Sequence, residues 1–287
     1  MENRRIIWLA SYPKSGNTWF RVFLANLFSD RTEPIDINSL HDTTIASSRQ
    51  MFDETAGISS ADLTKDEIER LRPYIYDQVA SEAIENLFLK IHDAFTYTIE
   101  DRPLVSEKAS FKAIYIIRNP LDVAVSLAHH LLVPVEAAVD AMCNEHYRFC
   151  NSSDRLPNQL EQKLLSWSNH VKSWTNQTII PVKLIRYEDM HSQPRVFEEA
   201  LNFSRVNVSK ESIGKAIKNS NFNELQKQEK EKGFKEKAHG ASSFFRKGII
   251  GGWREELPMK LADKLIQTHF EIMKAYNYVD NNGNPLY

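Results

Sequence analysis

The run from Ile6 to Phe28 constrains this chain more than any other stretch. Five apolar residues, Ile6 to Ala10, have the length and composition of a buried strand. They lead into a short loop of small and polar residues, Ser11 to Asn17, and at once into a helical pattern from Thr18 to Phe28. Strand, tight loop and helix in that order aim backbone N–H groups and a helix N-terminus at one point, a layout that holds an anion. Lys14 stands in the loop as a point charge suited to phosphate. Gly16 permits close backbone approach, and Ser15, Asn17 and Thr18 add polar donors. The stretch predicts a phosphate-binding loop; a buried edge strand with a polar turn is the plainer alternative. It is not a Walker loop, where Gly-Lys-Ser/Thr follows a first Gly after four residues, because Lys14 precedes the only Gly of the region. None of the nine glycines forms G-x-G-x-x-G.

Composition narrows the partners. A net charge of −2 argues against a general nucleic-acid binder, so any anion site must be a local cationic cluster. Two Cys give no disulfide framework and suggest a reducing compartment. There is no signal-peptide pattern and no apolar run of 18 residues, which predicts no membrane partner and a cytoplasmic location. With 287 residues and 42% hydrophobic content, a single domain over 1–287 is expected.

Along the chain, strands alternate with helices. Strand patterns fall at Asn86 to His92, Ala113 to Ile117 and Ile180 to Ile185. Thr64-Lys65-Asp66-Glu67 is a capping-box pattern opening a helix to about Arg72, and a second helical pattern covers Ile75 to Glu85. Asn119 is placed to cap a helix with Pro120 in its first turn. Further helical patterns cover most of 133–149, 157–175, 194–203 and 257–276. Residues 30–62 read as loop with short helical pieces, a plausible wall for an acceptor site, and 226–247 as a charged mobile loop, within which 226–243 is either a lid that orders over a bound ligand or, by the Lys/Glu pattern of 226–237, a permanently formed solvated helix. The expected class is α/β, with a parallel sheet flanked by helices on both faces.

Several constellations resemble the sulfotransferases that use PAPS (3′-phosphoadenosine 5′-phosphosulfate). Tyr12 to Trp19, YPKSGNTW, looks like that family's 5′-phosphosulfate loop, usually YPKSGTTW, with Asn17 for a Thr. The stretch 118–126, RNPLDVAVS, is similar to its 3′-phosphate site, an Arg and a Ser eight residues apart. Residues 244–253, FFRKGIIGGW, resemble the family's RKGxxGDW segment, with Gly252 where Asp is common, which puts the local fold of the segment in question. RYEDM at 186–190 and SNFNEL at 220–225 are similar to the adenine-pocket segments, and KIH at 90–92 to the family's KTH.

The resemblance implies a P-loop NTPase-like sulfotransferase fold and PAPS as co-substrate without a metal. It implies that Lys14, Ser15, Gly16, Asn17, Thr18 and Trp19 hold the 5′ side and the base. Arg118, Ser126, Arg246, Lys247 and Gly248 would hold the 3′-phosphate, and Tyr187, Ser220 and Phe222 would hold adenine. His92 would be the general base, with Lys14 and Lys90 stabilising charge. The chemistry of the residues agrees: an imidazole can take a proton from a hydroxyl near neutral pH, and Lys90 and His92, two apart in a strand, face one side. The acceptor is expected to be a small molecule bearing a hydroxyl or amine. The alternatives are a P-loop kinase and a non-catalytic nucleotide-binding protein. A rival signal is Cys143, His146 and Cys150, on one face if the region is helical, where Zn could bind; an apolar structural face is the preferred reading. The C-terminal part lacks the KxxxTVxxxE dimer segment of many cytosolic animal members, which leaves the oligomeric state open.

Overall fold

The computed structural model describes residues 5–40, 43–152 and 155–287. They fall into two compact units. Unit 1 comprises Met1–Tyr12, Asp42–Tyr115 and Glu145–Leu184; unit 2 comprises Pro13–His41, Ile116–Asn144 and Ile185–Tyr287. In chain order the elements are β1 (Ile6–Ala10), α1 (Asn17–Phe28), α2 (Arg49–Ala56), α3 (Lys65–Glu82), β2 (Leu87–Ile91), β3 (Ser110–Ile117), α4 (Pro120–Leu131) and α5 (Val135–Cys143). They continue with β4 (Arg148–Phe149), β5 (Gln162–Lys163), α6 (Trp167–Asn176), β6 (Val182–Arg186), α7 (Tyr187–Ser192), α8 (Arg195–Phe203), α9 (Lys210–Asn219), α10 (Phe222–Lys232) and α11 (Met259–Ala275).

Unit 1 is built on a sheet of order β2-β1-β3-β6. β1 pairs in parallel with both neighbours, Trp8 standing opposite Leu89 on β2 and Ala113 on β3. A strand paired on both edges and covered on both faces has no polar side, which is why Ile6 to Ala10 is unbroken apolar sequence, every residue fully buried. Trp8 Nε1–H finds its partner in Ser110 Oγ at 2.7 Å. The register sets Lys90 beside Leu9 and Ile91 beside Ala10. One residue further on, Ser11 N–H donates to Ile91 O at 3.2 Å, so Ser11 and His92 leave the sheet together.

Four expectations need correction. The predicted break between two helices at 72–75 does not occur: α3 runs through Pro73. The capping box at Thr64 and Glu67 forms, and Arg72, Pro73, Ile75, Tyr76 and Ala80 are all buried on one continuous face. Burying that face offsets the roughly 3 kcal/mol of an interior proline. The helix expected over 133–149 stops at Cys143, and Arg148–Phe149 pairs antiparallel with Gln162–Lys163 inside the second expected helix, 157–175. Left-handed backbone at Leu165 interrupts the second pattern, and Cys150, also left-handed, lies just past the first. The stretch 226–247 is not loop throughout, since α10 reaches Lys232. Within 30–62 the short helical pieces are α2 and a 3-10 turn at Ser60–Asp62; positions 41–42 lie outside the described residues.

Unit 2 packs its helices around Val22, Ile35, Ile37, Leu40, Leu225, Phe234 and Phe245, with Trp19, Phe222 and Phe244 partly buried against them. Among the described residues no single helix is long and apolar enough to cross a membrane.

Candidate active site

The loop after β1 turns through two left-handed residues, Lys14 at φ 69° and Gly16 at φ 103°. Such alternation points successive N–H groups into one concavity. Gly16 is needed for its φ and also for space, because a Cβ there would lie 2.5 Å from the Tyr187 ring. α1 starts at Asn17 with no side-chain cap on its first turn, so its leading N–H groups depend on partners from outside the helix. Thr18, in that turn, is buried. Ser15 Oγ, Trp19 Nε1 and Arg118 Nε are buried without a hydrogen-bond partner. Orphaned donors gathered around a helix N-terminus fit a phosphorylated nucleotide, which would supply the missing acceptors.

Arg118 ties this loop to the segment near residue 249. Its Nη1 donates to Lys14 O at 3.1 Å and Nη2 to Ile249 O at 3.4 Å, and the guanidinium stands 4.2 Å from the Tyr187 ring centroid. Asn119 caps α4 by accepting from Leu121 N–H at 3.1 Å, as the sequence predicts. Two turns into α4, Ser126 shares one small concavity with Lys14, Arg246, Lys237 and Phe244. Lys14 Nζ lies 3.7 Å from the Phe244 ring centroid. Three cations thus line the concavity that Ser126 shares, the local cluster that the near-neutral chain requires.

Acidic residues just past the RKG stretch counter two of the predicted phosphate ligands. Arg246 Nη1 donates to Glu256 Oε1 at 2.6 Å, and Lys247 Nζ lies 2.8 Å from the same oxygen and 2.6 Å from Glu255 Oε2. His129 Nε2 is 3.0 Å from Glu256 Oε2. Burial works against the charged carboxylate, yet bonds from Lys247, Arg246 and His129 bring the Glu256 carboxyl down to about 2. Both cations are thus already paired with carboxylates.

The aromatic residues arrange themselves around the glycines. A Cβ on Gly248, at φ 63°, would come within 2.4 Å of the Phe222 ring, and Tyr187 Oη donates to Gly248 O at 3.4 Å. Trp19 stands edge-on to Tyr187, centroids 5.8 Å apart. Burial raises the Tyr187 hydroxyl above its ordinary pKa, with Arg118 opposing. Ser220 is fully buried, and its hydroxyl donates to Ile217 O at 3.3 Å, within its own helix end. Gly252 does not unsettle the segment. Asp122 on α4 accepts from Gly251 N–H at 2.9 Å and Trp253 N–H at 3.0 Å, holding the turn in place.

In unit 1, His92 is buried at the end of β2. Its Nδ1 lies 2.8 Å from Ser11 O. A carbonyl only accepts, so Nδ1 carries the proton and Nε2 the lone pair, the form a general base needs. The main chain is fixed at the same place. His170 Nε2–H donates to His92 O at 2.9 Å, His170 Nδ1 accepts from Tyr115 Oη at 2.8 Å, and Trp174 Nε1–H donates to Asp93 O at 3.0 Å. Burial holds His170 neutral, down to about 4, with its bond to His92 O opposing. Arg72 grips the Asp93 carboxylate with two bonds, 2.9 and 2.6 Å. Lys90 is fixed by its backbone, donating to Thr44 O at 3.0 Å and accepting from Ala46 N–H at 2.7 Å. The helix premise of the Cys143, His146, Cys150 signal fails because α5 ends at Cys143. Cys143 Sγ lies 3.7 Å from Thr268 Oγ1 and Cys150 Sγ 3.6 Å from Gln162 Nε2.

Sequence reading missed Phe244, Glu255, Glu256, Asp122, Arg72 and His170. Asp122 and Phe244 sat inside the quoted motifs. Glu255 and Glu256 follow directly on the last motif, while Arg72 and His170 carry no local pattern, being joined to the site by contacts over 21 and 78 residues.

A parallel α/β fold with a left-handed cationic loop at the end of its central strand defines a P-loop-like protein built for a phosphorylated ligand. The family model for the sulfotransferase domain matches residues 4–277, and the chain belongs to that family. It is 24% identical over 286 residues to cytosolic sulfotransferase 12 of Arabidopsis thaliana, covering 93% of this chain and 77% of that one. It is 22% identical over 296 residues to amine sulfotransferase of Oryctolagus cuniculus, covering 94% and 81%. The crystal structure of mouse sulfotransferase SULT7A1 complexed with PAP superimposes with a TM-score of 0.57 at 20% identity, covering 97% of this chain and 87% of that one.

Proposed function

We propose that this chain, working as one sulfotransferase domain, transfers a sulfuryl group from PAPS to a hydroxyl or amine of a small-molecule acceptor. The observation that carries the reading is the gathering of Lys14, Ser126 and Arg246 on one concavity beside the orphaned Ser15 hydroxyl. PAPS, when bound, supplies the sulfuryl group and the 3′-phosphate. Lys14, Ser15, Gly16, Asn17 and Thr18 orient the 5′ side; Arg118, Ser126, Arg246, Lys247 and Gly248 receive the 3′-phosphate; Trp19, Tyr187, Ser220 and Phe222 line the base. Lys14 offsets negative charge gathering on the leaving group, the kind of electrostatic stabilisation that does most of the work in such transfers. His92 takes the acceptor proton on Nε2, Ser11 O keeping the ring in that tautomer, and Lys90 adds positive charge. A kinase reading lacks a Walker loop in this sequence, and a non-catalytic reading leaves the pre-set His92 without a role. A cytoplasmic location agrees with the relative named cytosolic.

The test is thermal. PAP should raise the melting temperature strongly, by about 2.7 kcal/mol of added stability at a hundredfold excess over its Kd, and 5′-AMP much less. Equal stabilisation by both would remove the 3′-phosphate assignment.

A further inference from the structure

Unit 1 holds a second, larger concavity, a partly open cavity of about 180 Å³. That is room for one small aromatic ring, a cavity of roughly 150 Å³ being enough to hold benzene. Asp93, next in the chain to His92, forms part of its wall, and so does Cys150. Burial pushes the Cys150 thiol up to about 11; the Gln162 bond, Arg155 and Lys90 pull it down, while Asp93 pushes it further up. One half-buried sulfur therefore feels the cavity residues Arg155 and Asp93 together with Lys90. Asp93 links its wall to the strand end that carries Lys90 and His92, which do not themselves line it.

Its charge is unbalanced. Five cations and three carboxylates line it. Three of the cations are matched: Arg72 by Asp93 at 2.6 Å, Lys163 by Glu69 at 2.6 Å and Lys65 by Glu161 at 2.7 Å. Glu161 is shared with Arg148, from outside the cavity, so among the described residues no acidic charge is left over. Arg49 and Arg155 are the remainder, and among the described residues no carboxylate pairs with either. Arg49 is nonetheless held in place, its Nε donating to Pro157 O at 2.8 Å and Nη1 to Ser60 Oγ at 2.8 Å. A guanidinium fixed by neutral partners keeps its full charge for a ligand, and its planar fork matches a carboxylate or phosphate. Leu63, Ile68 and Leu104 add an apolar wall.

We propose that this cavity binds the acceptor and that Arg49 and Arg155 recognise an anionic group on it, so that the preferred acceptors are acidic hydroxy compounds. The inference rests on the sulfotransferase reading and adds to it the charge of the acceptor. Uncharged phenols and cationic amines fill the same space but leave two cations unmatched.

The experiment measures binding by calorimetry to the full chain saturated with PAP, which needs no turnover. The probes are 4-hydroxybenzoate, its neutral isostere 4-hydroxybenzamide, 4-hydroxyphenyl phosphate and cationic tyramine. Both anions should bind at least about tenfold tighter than the amide, an effect of about 1.4 kcal/mol. The ratio of the two anions tells carboxylate from phosphate recognition. Arg155→Glu, a change at an exposed position, should abolish the anion preference and turn it toward tyramine, while PAP still raises the melting temperature as in the wild type. Equal binding of benzoate and benzamide, or an anion preference that survives Arg155→Glu, would overturn the proposal. Failure of PAP to stabilise the chain would instead strike the cofactor reading.

Discussion

The Glu256 carboxylate accepts from Arg246 at 2.6 Å and from Lys247 at 2.8 Å through a single oxygen. Both cations are those that the sequence resemblance assigns to a 3′-phosphate. A carboxylate and a phosphate dianion attract the same donors, so on the proposed assignment Glu256 would compete with the nucleotide. Glu256→Gln should tighten PAP binding by about fivefold, near 1 kcal/mol for partly exposed pairs, and leave 5′-AMP binding almost unchanged. Titration calorimetry with the two nucleotides checks this. Weaker PAP binding in the variant would mean that Glu256 positions Arg246 and Lys247 instead of competing for them.

Gly248 admits no side chain while Phe222 lies 2.4 Å from where its Cβ would be. Gly248→Ala adds overpacking to a left-handed φ of 63°, and should cost about 2–4 kcal/mol in urea unfolding. Pairing it with Phe222→Leu removes the clash but not the backbone term, so the double variant should recover part of the loss. Additive losses would show that the ring is not the obstacle.

His170 provides a pH test of the framework around His92. Burial holds it down to about 4 from an ordinary 6.5. The native state then binds fewer protons than the unfolded one between these values, so stability is full above about pH 6.5 and falls as the pH drops toward 4. The loss amounts to about 3 kcal/mol. His170→Gln keeps a donor for His92 O and an acceptor for Tyr115 but does not titrate. The difference in melting temperature between wild type and variant should change with pH across this window. A constant difference would contradict a buried, neutral His170.

The parts of this fold legible in the sequence were those with a local cause. β1 is apolar because it is paired on both edges, and the caps at Thr64 and Asn119 are side-chain bonds spanning two or three residues. The turn after β1, proposed for phosphate, was legible because Lys14 and Gly16 lie within three positions of each other. What periodicity hid was set by distant contacts or by left-handed backbone at a non-glycine residue, as at Leu165. The charged face of α10 looked like mobile loop because its ties are polar. Glu229 accepts from Phe244 and Phe245 N–H at 2.6 and 2.8 Å, and Gln228 bonds Ile37 N–H and Ile35 O at 3.0 Å each. Residues 233–243 are irregular. The proposed lid is narrowed to them, and amide exchange should show added protection there with PAP and little change within α10.

The most direct test of the central claim is steady-state sulfation by His92→Ala with labelled PAPS and an acceptor that the wild type turns over, run beside PAP calorimetry on the same protein. Loss of the base should lower kcat by about 10²–10⁴, with PAP affinity within about twofold of wild type, since the nucleotide residues all belong to unit 2. A variant with near-normal kcat would contradict the assignment of His92 as the group that takes the acceptor proton.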